Sequence, residues 1–340
     1  MYSNNKTWPA SPIVDVLILG AGPAGLATAG ALARQLHTAI VFSHNVYRNA
    51  RAKHMHNVTG WDHADPASFR AKARSDIASR YSGTIQFRDV EVARVEKLAD
   101  DERGRSRFEA EDVDGKKYVG RKVVLAMGVK DVMPETPVGY ADLWGRGIFH
   151  CLFCHGFEER GASSAGVLAT GPMLGSAGGP SAPLMAPVIA RMAARLAGHV
   201  TVYTDGNEDL GARIREALKN SQRFHVENRR VVRLSKDPQV EGDAGVIVTL
   251  EDGNTNREMF LAHAPAVELN GPFAADLGIA LAPQGHIDAQ PPFYTTSVPG
   301  VYAAGDCATF MKAVPMATMM GSCVAAGLAH VLQAEDDASE

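Results

Sequence analysis

Cys151 and Cys154, two of only four cysteines in 340 residues, stand in the segment His150-Cys151-Leu152-Phe153-Cys154-His155. Two thiols three positions apart can close into a small disulfide ring and open again. At the start of a helix, the positive end of the dipole and a nearby imidazolium would favour the thiolate at neutral pH, and the spacing predicts such a start here. His155 follows the second cysteine directly, and an imidazole can take a proton from an incoming thiol and return it to a departing one. His150 is a second candidate for that role. The motif alone leaves other chemistry open, because C-x-x-C-H also reads as a covalent haem attachment and one C-x-x-C supplies half of a zinc site.

The rest of the chain must arbitrate. A sequence that is 46% hydrophobic and 21% charged, with 33 glycines, has the apolar content for a large core and the length for two domains. A net charge of -4 without a run of Lys or Arg leaves no electrostatic footprint for nucleic acid or an anionic membrane surface, so neither partner is expected. Residues 1–12 are polar and lack the apolar stretch of a secretory signal, so a cytoplasmic location is expected. No bilayer span is expected, on the reading that no uncharged stretch reaches the ~18–20 residues one needs. In a reducing compartment the cysteine pair is redox-catalytic rather than a structural staple, and haem attachment, which follows export, falls away. No metal centre is expected.

Val14-Asp15-Val16-Leu17-Ile18-Leu19 reads as a strand, Gly20-Ala21-Gly22-Pro23-Ala24-Gly25 as a glycine turn, and the Ala/Leu-rich stretch to Leu36 as a helix, with a second strand at 38–42. In that arrangement Gly20 permits the tight turn and Gly22 lets a pyrophosphate approach the backbone. Gly25 lets helix and strand pack closely, with the phosphates at the helix N-terminus. Ser43 ends the second strand, where an acidic side chain usually holds a ribose hydroxyl; a serine can still bond one. Two further segments, an apolar strand at 122–128 ending in Gly128 and Gly300-Val301-Tyr302-Ala303-Ala304-Gly305-Asp306, resemble those of domains that bind FAD across a doubly wound sheet. That likeness implies that Asp306 takes a ribityl hydroxyl. It also implies that a helix beginning near Lys312-Ala313-Val314, with Pro315 suited to a first helical position, aims its N-terminus at the flavin.

The expected fold is therefore α/β with two Rossmann-like domains. A discontinuous FAD-binding domain, 1–130 and 268–340, flanks a domain at 131–267 that carries the cysteine pair. This order resembles the low-molecular-weight thioredoxin reductases, of the class II pyridine nucleotide-disulfide oxidoreductases, over most of the chain. The likeness implies that Asn57 faces the flavin, in the word His56-Asn57-Val58-Thr59-Gly60 that stands for their Glu-Asn-Phe-Pro-Gly. Their second nucleotide motif is broken. After a strand at 166–170, Gly171-Pro172-Met173-Leu174-Gly175-Ser176 puts Met173 where a glycine must be, and prolines at 172, 180, 183 and 187 delay the helix that should receive phosphates. The strand at 200–203 ends in Thr204-Asp205-Gly206 with no arginine pair, so the domain reads as a degenerate nicotinamide domain, although Asp205 could hold an NADH ribose.

A flavin-dithiol enzyme that accepts no hydride from a nicotinamide must take electrons from a thiol and pass them to another acceptor, dioxygen being the obvious one. In this the chain resembles the gliotoxin oxidase (GliT)-like dithiol oxidases. The resembling words are Val46-Tyr47-Arg48-Asn49, His54-Met55-His56-Asn57-Val58, Trp61-Asp62-His63, CLFCHGFE at 151–158, and Gly305-Asp306-Cys307 followed by Met311-Lys312-Ala313-Val314. The resemblance implies a homodimer that closes a disulfide in a small-molecule dithiol of the epidithiodiketopiperazine kind and yields hydrogen peroxide. In the expected scheme Cys151 meets the substrate and Cys154 the flavin. An NAD(P)H-dependent thioredoxin or disulfide reductase and a non-catalytic flavin-bound interaction protein remain as alternatives. Cys307 and Cys323 read as buried small hydrophobes.

Overall fold

The computed structural model describes residues 13–171 and 184–338. Met173 and the prolines at 172, 180 and 183 lie outside the described residues. The chain forms two compact units, one of Met1–His54, Ala64–Lys130 and Glu268–Glu340, the other of Met55–His63 and Asp131–Val267. The short segment Met55–His63, which the sequence pattern leaves inside the first domain, groups with the second unit.

In the first unit, β1 (Val14–Leu19), α1 (Pro23–Ala33), β2 (Ala39–Phe42), α2 (Pro66–Arg80), β3 (Ile85–Arg88), β4 (Val92–Leu98), β5 (Arg107–Asp112) and β6 (Lys117–Leu125) follow in order. The sheet runs β3-β2-β1-β6-β5-β4, with the strand Val301–Ala303 also on β6. β1 is parallel to β2 and β6, and its unbroken apolar run 16–19 is what a strand covered on both faces requires. The polar break at Asp15 fixes the edge of that pairing. Its carboxylate accepts from the Thr38 amide at 2.8 Å and from Arg121 at 3.1 Å. Burial alone would raise its pKa, but hydrogen bonds from His37 and Thr38 and the Arg121 charge hold it down at about 2.

α1 is nearly all small residues because backbone presses on it from two sides. A Cβ on Gly25 would sit 1.9 Å from the Gly20 carbonyl oxygen, and one on Gly321 of the C-terminal helix 2.2 Å from the Ala24 carbonyl oxygen. Thr28 ties the two helices by donating to Ala24 O at 2.9 Å or Gly321 O at 3.1 Å. The C-terminal helix, Val314–Asp337, opens with Pro315 in its first turn and buries Ala317, Met320, Gly321, Val324, Leu328 and Leu332. Residues 314–334 hold no Asp, Glu, Lys or Arg, so the expectation that no uncharged stretch reaches bilayer length is corrected. By length and composition this helix could cross a membrane, yet its buried face is part of the first unit's core.

The second unit carries a five-stranded parallel sheet in the order Phe224–Glu227, Ala197–Tyr203, Ala162–Leu168, Leu261–Ala262, Ile148–Phe149. An antiparallel sheet of Val231–Lys236, Val246–Leu250 and Thr255–Glu258 accompanies it. The helix Met185–Ala193 packs Ala186, Ala190 and Ala193 into a core with Val200, Val202 and Ile214.

The α1 contact makes a stability prediction. Gly321→Ala forces the two helices apart and costs about 1–3 kcal/mol, the range for overpacking a close contact. A urea melt of the variant reads this as a lower midpoint with unchanged slope.

Candidate active site

The strand Ile148–Phe149 ends at His150, and the next residues make one turn that closes the Cys151–Cys154 disulfide, with Cα atoms 5.2 Å apart. Cys154 N and His155 N both donate to Cys151 O, at 3.1 and 3.0 Å. The expected helix start is not there. A Cβ on Gly156 would lie 2.2 Å from Leu152 O, so at this glycine the chain crosses its own preceding turn, and only a short 3-10 turn, Phe157–Glu159, follows. Cys151 therefore gains nothing from a helix dipole. The group aimed at the dithiol is instead the Cys154 amide, which donates to Cys151 Sγ at 3.1 Å.

Around this turn the second unit gathers imidazoles and carboxylates. His155 Nε2 shares a hydrogen bond with Glu159 Oε1 at 3.1 Å, and its ring stacks on Phe149 with centroids 3.9 Å apart. With Nε2 held by the carboxylate, Nδ1 is the nitrogen that accepts a proton. Glu158 faces the other way, with Oε1 3.0 Å from His56 Nε2 and Oε2 accepting from the Gly156 amide at 3.3 Å. Burial would raise the Glu158 pKa, but backbone hydrogen bonds and the nearby His155 and His56 outweigh it and hold the carboxyl below its ordinary value. Asn57 donates its side-chain amide to Phe153 O at 2.7 Å, tying the loop Met55–His63 to the dithiol turn. His150 lies against the Trp144 ring at 5.6 Å between centroids. Glu158 and Glu159 were not among the expected catalytic groups; the i, i+4 spacing of His155 and Glu159 was the available signal.

The first unit holds the remaining expected residues. Gly20 has φ +117 and a Cβ there would meet Ala126 O at 2.3 Å, so the turn and its contact both require glycine. Ala21 and Ala24 are buried, and Pro23 begins α1. A Cβ on Gly22 would meet nothing within 4 Å, and no side chain caps α1. That combination, open space against uncapped amides, suits a pyrophosphate. Ser43 is buried and bonds within its own loop, to the Asn45 amide at 3.1 Å and the Tyr47 hydroxyl at 3.0 Å. Arg48 and Asp306, 258 positions apart, meet at 3.3 Å. Gly128 accepts from the Asn270 amide at 3.3 Å. Lys312 donates to Thr309 O at 2.8 Å, and Ala313 caps the C-terminal helix, with Val314 its first residue. Cys307 is fully buried, and burial pushes its thiol up to about 12, which makes it inert. Cys323 is only half-buried, its sulfur 3.6 Å from Met319 Sδ.

At the end of the strand Ala197–Tyr203, Asp205 spends its carboxylate on the Val231 amide at 2.8 Å. Two residues before Val231, Arg229 is clamped by Glu227 at 2.6 Å and Asp252 at 2.7 Å. Beyond the strand Ala162–Leu168, Thr170 and Tyr140 both engage the buried His263, which burial pushes down to about 4.

The family model described as pyridine nucleotide-disulphide oxidoreductase matches residues 14–321. Thioredoxin reductase aclD of Aspergillus oryzae is 43% identical over 330 residues, 97% of this chain and 99% of that protein. Thioredoxin reductase sirT of Leptosphaeria maculans is 41% identical over 318 residues, 93% of each. The crystal structure of HlmI superposes with a TM-score of 0.80 at 28% identity, covering 96% of this chain and 95% of that one. The chain belongs to the pyridine nucleotide-disulphide oxidoreductase family. It is a thioredoxin reductase-like flavoprotein whose cofactor is FAD, and a disulfide/dithiol redox enzyme.

The two glycines of the α1 turn separate folding from cofactor binding. Gly22→Val leaves the urea midpoint of the FAD-free protein near wild type and weakens FAD by about 1.5–3 kcal/mol, the range for hydrogen bonds to a charged group, or roughly ten- to hundredfold. Gly25→Ala fails at the earlier step and lowers the melting midpoint itself. Flavin content per chain alongside the melt distinguishes them.

Proposed function

We propose that this protein is a flavin-dependent dithiol oxidase that forms a disulfide in a small-molecule dithiol and delivers the electrons to dioxygen as hydrogen peroxide. The observation that carries this reading is the disulfide turn with the His155–Glu159 couple beside it, in a unit whose Asp205 is committed to its own backbone. A substrate thiolate attacks Cys151 Sγ, forming a mixed disulfide and breaking the bond to Cys154, which departs as a thiolate. His155, oriented by Glu159, takes the proton of the second substrate thiol. That sulfur attacks the first, releases Cys151 as a thiolate and leaves as a disulfide. Two S–H bonds are thereby exchanged for one S–S bond, with two electrons left on Cys151 and Cys154 and two protons released. FAD, when bound, would supply the two-electron acceptor for the Cys151 and Cys154 thiolates, with dioxygen as the final acceptor. Gly22 and the first turn of α1 would hold its pyrophosphate, and Asp306, positioned by Arg48, its ribityl chain. The fold is typically that of a homodimer, and we extend that state to this protein.

A second reading, an NAD(P)H-dependent disulfide reductase, is favoured by the name thioredoxin reductase that the relatives carry. Anaerobic spectroscopy decides between them. Dithiothreitol alone is expected to bleach the flavin, and air to restore it with release of peroxide. Rapid bleaching by NADPH would make the protein a reductase, and failure of every thiol to bleach it would leave a binding protein. His155→Ala is expected to slow thiol oxidation about 10²–10⁴-fold, the span of a general base, with flavin content unchanged.

A further inference from the structure

The loop Met55–His63 folds back on itself and brings two histidines to one carboxylate. His63 N donates to Met55 O at 2.9 Å, Trp61 N to Val58 O at 2.8 Å, and Asn57 N to Asp62 Oδ1 at 3.1 Å. Two of its side-chain-bearing residues, Asn57 and His63, hold φ +61, and Gly60 holds φ +79. Positive φ is uncommon outside glycine and costs the backbone free energy, so the loop is held in this shape by what it contacts. The result is that donor atoms of His56, His63 and Glu158, residues from two separate segments, all lie within 4.8 Å of one another.

We propose that His56, His63 and Glu158 form a site for a divalent ion of the zinc class, with a fourth coordination position open to water or an added thiolate. Donors bound at ~2.0–2.1 Å in a tetrahedron stand about 3.3 Å apart. His56 Nε2 and Glu158 Oε1, at 3.0 Å, already have that separation. His63 is exposed to solvent with its ring centroid 5.3 Å from that of His56, and a side-chain rotation brings its nitrogen to the third edge. The other nitrogen of His56, Nδ1, faces Asp62 Oδ1 at 3.5 Å, the partner a metal-bound imidazole takes to fix its tautomer and orient its ligating nitrogen. Glu158 is steadied by the Gly156 amide on its second oxygen. Two imidazoles and one carboxylate suit zinc, copper, iron or nickel, whereas magnesium and calcium take oxygen shells. Three protein ligands are the number that leaves a zinc ion one exchangeable position. The dithiol of the turn is not part of the donor set, so the site stands in the oxidised protein and whichever direction the redox chemistry runs.

The test uses the flavin-loaded full chain, stripped with a chelator and kept free of reductant so that Cys151 and Cys154 stay joined. Zinc chloride is titrated by calorimetry, bound metal is counted after gel filtration, and the zinc X-ray absorption edge reads the ligand shell. One zinc per chain is expected, with a nitrogen/oxygen shell at about 2.0–2.1 Å and no sulfur at about 2.3 Å. His63→Ala and Glu158→Gln should each weaken binding at least about tenfold with flavin content retained. The double variant Cys151→Ser/Cys154→Ser should bind as the wild type does. Should either single variant lose its flavin, His63→Gln replaces it. Absence of binding at micromolar zinc, binding indifferent to both His63 and Glu158, or binding lost in the double serine variant would overturn the site and leave the cluster a plain ion-pair network.

Discussion

Backbone pressed on backbone at the first turns of α1 is the constraint on which the first unit depends. Gly25 lets the helix sit on the Gly20 carbonyl, Gly321 lets the C-terminal helix sit on the Ala24 carbonyl, and each contact has room for hydrogen and nothing larger. Because α1 is fixed on both sides, its N-terminus is fixed relative to the end of β1. Its free amides therefore point into the space that Gly22 leaves open. The same packing seats Gly305 with a would-be Cβ 3.0 Å from the Ala24 Cβ, so the segment that carries Asp306 is registered against the glycine turn as well. Two segments nearly three hundred residues apart in sequence, the glycine turn and the one that carries Asp306, thus share a single packing reference.

The second unit solves a different problem, which is to hold a disulfide turn and the imidazole beside it in fixed register. The parallel sheet delivers Phe149 as a buried platform, and His155 returns over that platform after one turn. Gly156 makes the return possible, since any side chain there would collide with Leu152 O and with Leu196. The imidazole is therefore held by an aromatic face on one side and a carboxylate on its edge, which fixes both its plane and its tautomer.

Much of this was legible in sequence because it is local. The strand 14–19, the glycine turn and the second strand follow one another in the order that short continuous apolar runs and glycines dictate, and the Gly300 to Asp306 segment is again an apolar run ending in glycine. What was not legible depends on contacts that spacing does not encode. Whether residues 151–155 open a helix or a single turn is decided at Gly156 by its neighbours in space. Likewise Asp205 reads as a ribose ligand until its carboxylate is found on Val231, 26 positions on. The uncharged length of 314–334 is readable in the sequence itself, and its two hydroxyls, Thr318 and Ser322, are satisfied by the carbonyl one turn back, at 3.0 and 3.1 Å. Residues 55–63 group with the second unit through contacts such as Asn57 to Phe153, which no motif announces.

The short turn Phe157–Glu159 explains how one stretch of chain serves two imidazoles. Successive residues on a 3-10 helix, at three per turn, project about 120° apart, and the two adjacent carboxylates contact different imidazoles. Glu159 reaches back to His155, and Glu158 reaches out to His56. Had the segment continued as an α-helix from Cys151, residues 155 and 159 would still pair at one-turn spacing, but Gly156 could not have brought its amide onto the Glu158 carboxylate. The glycine therefore does two things at once: it ends the dithiol turn, and its N–H donates to the Glu158 carboxylate that faces His56. The acids at 158 and 159 consequently have different partners despite being neighbours, Glu159 bonded to the imidazole beside the disulfide and Glu158 facing His56 of the folded-back loop.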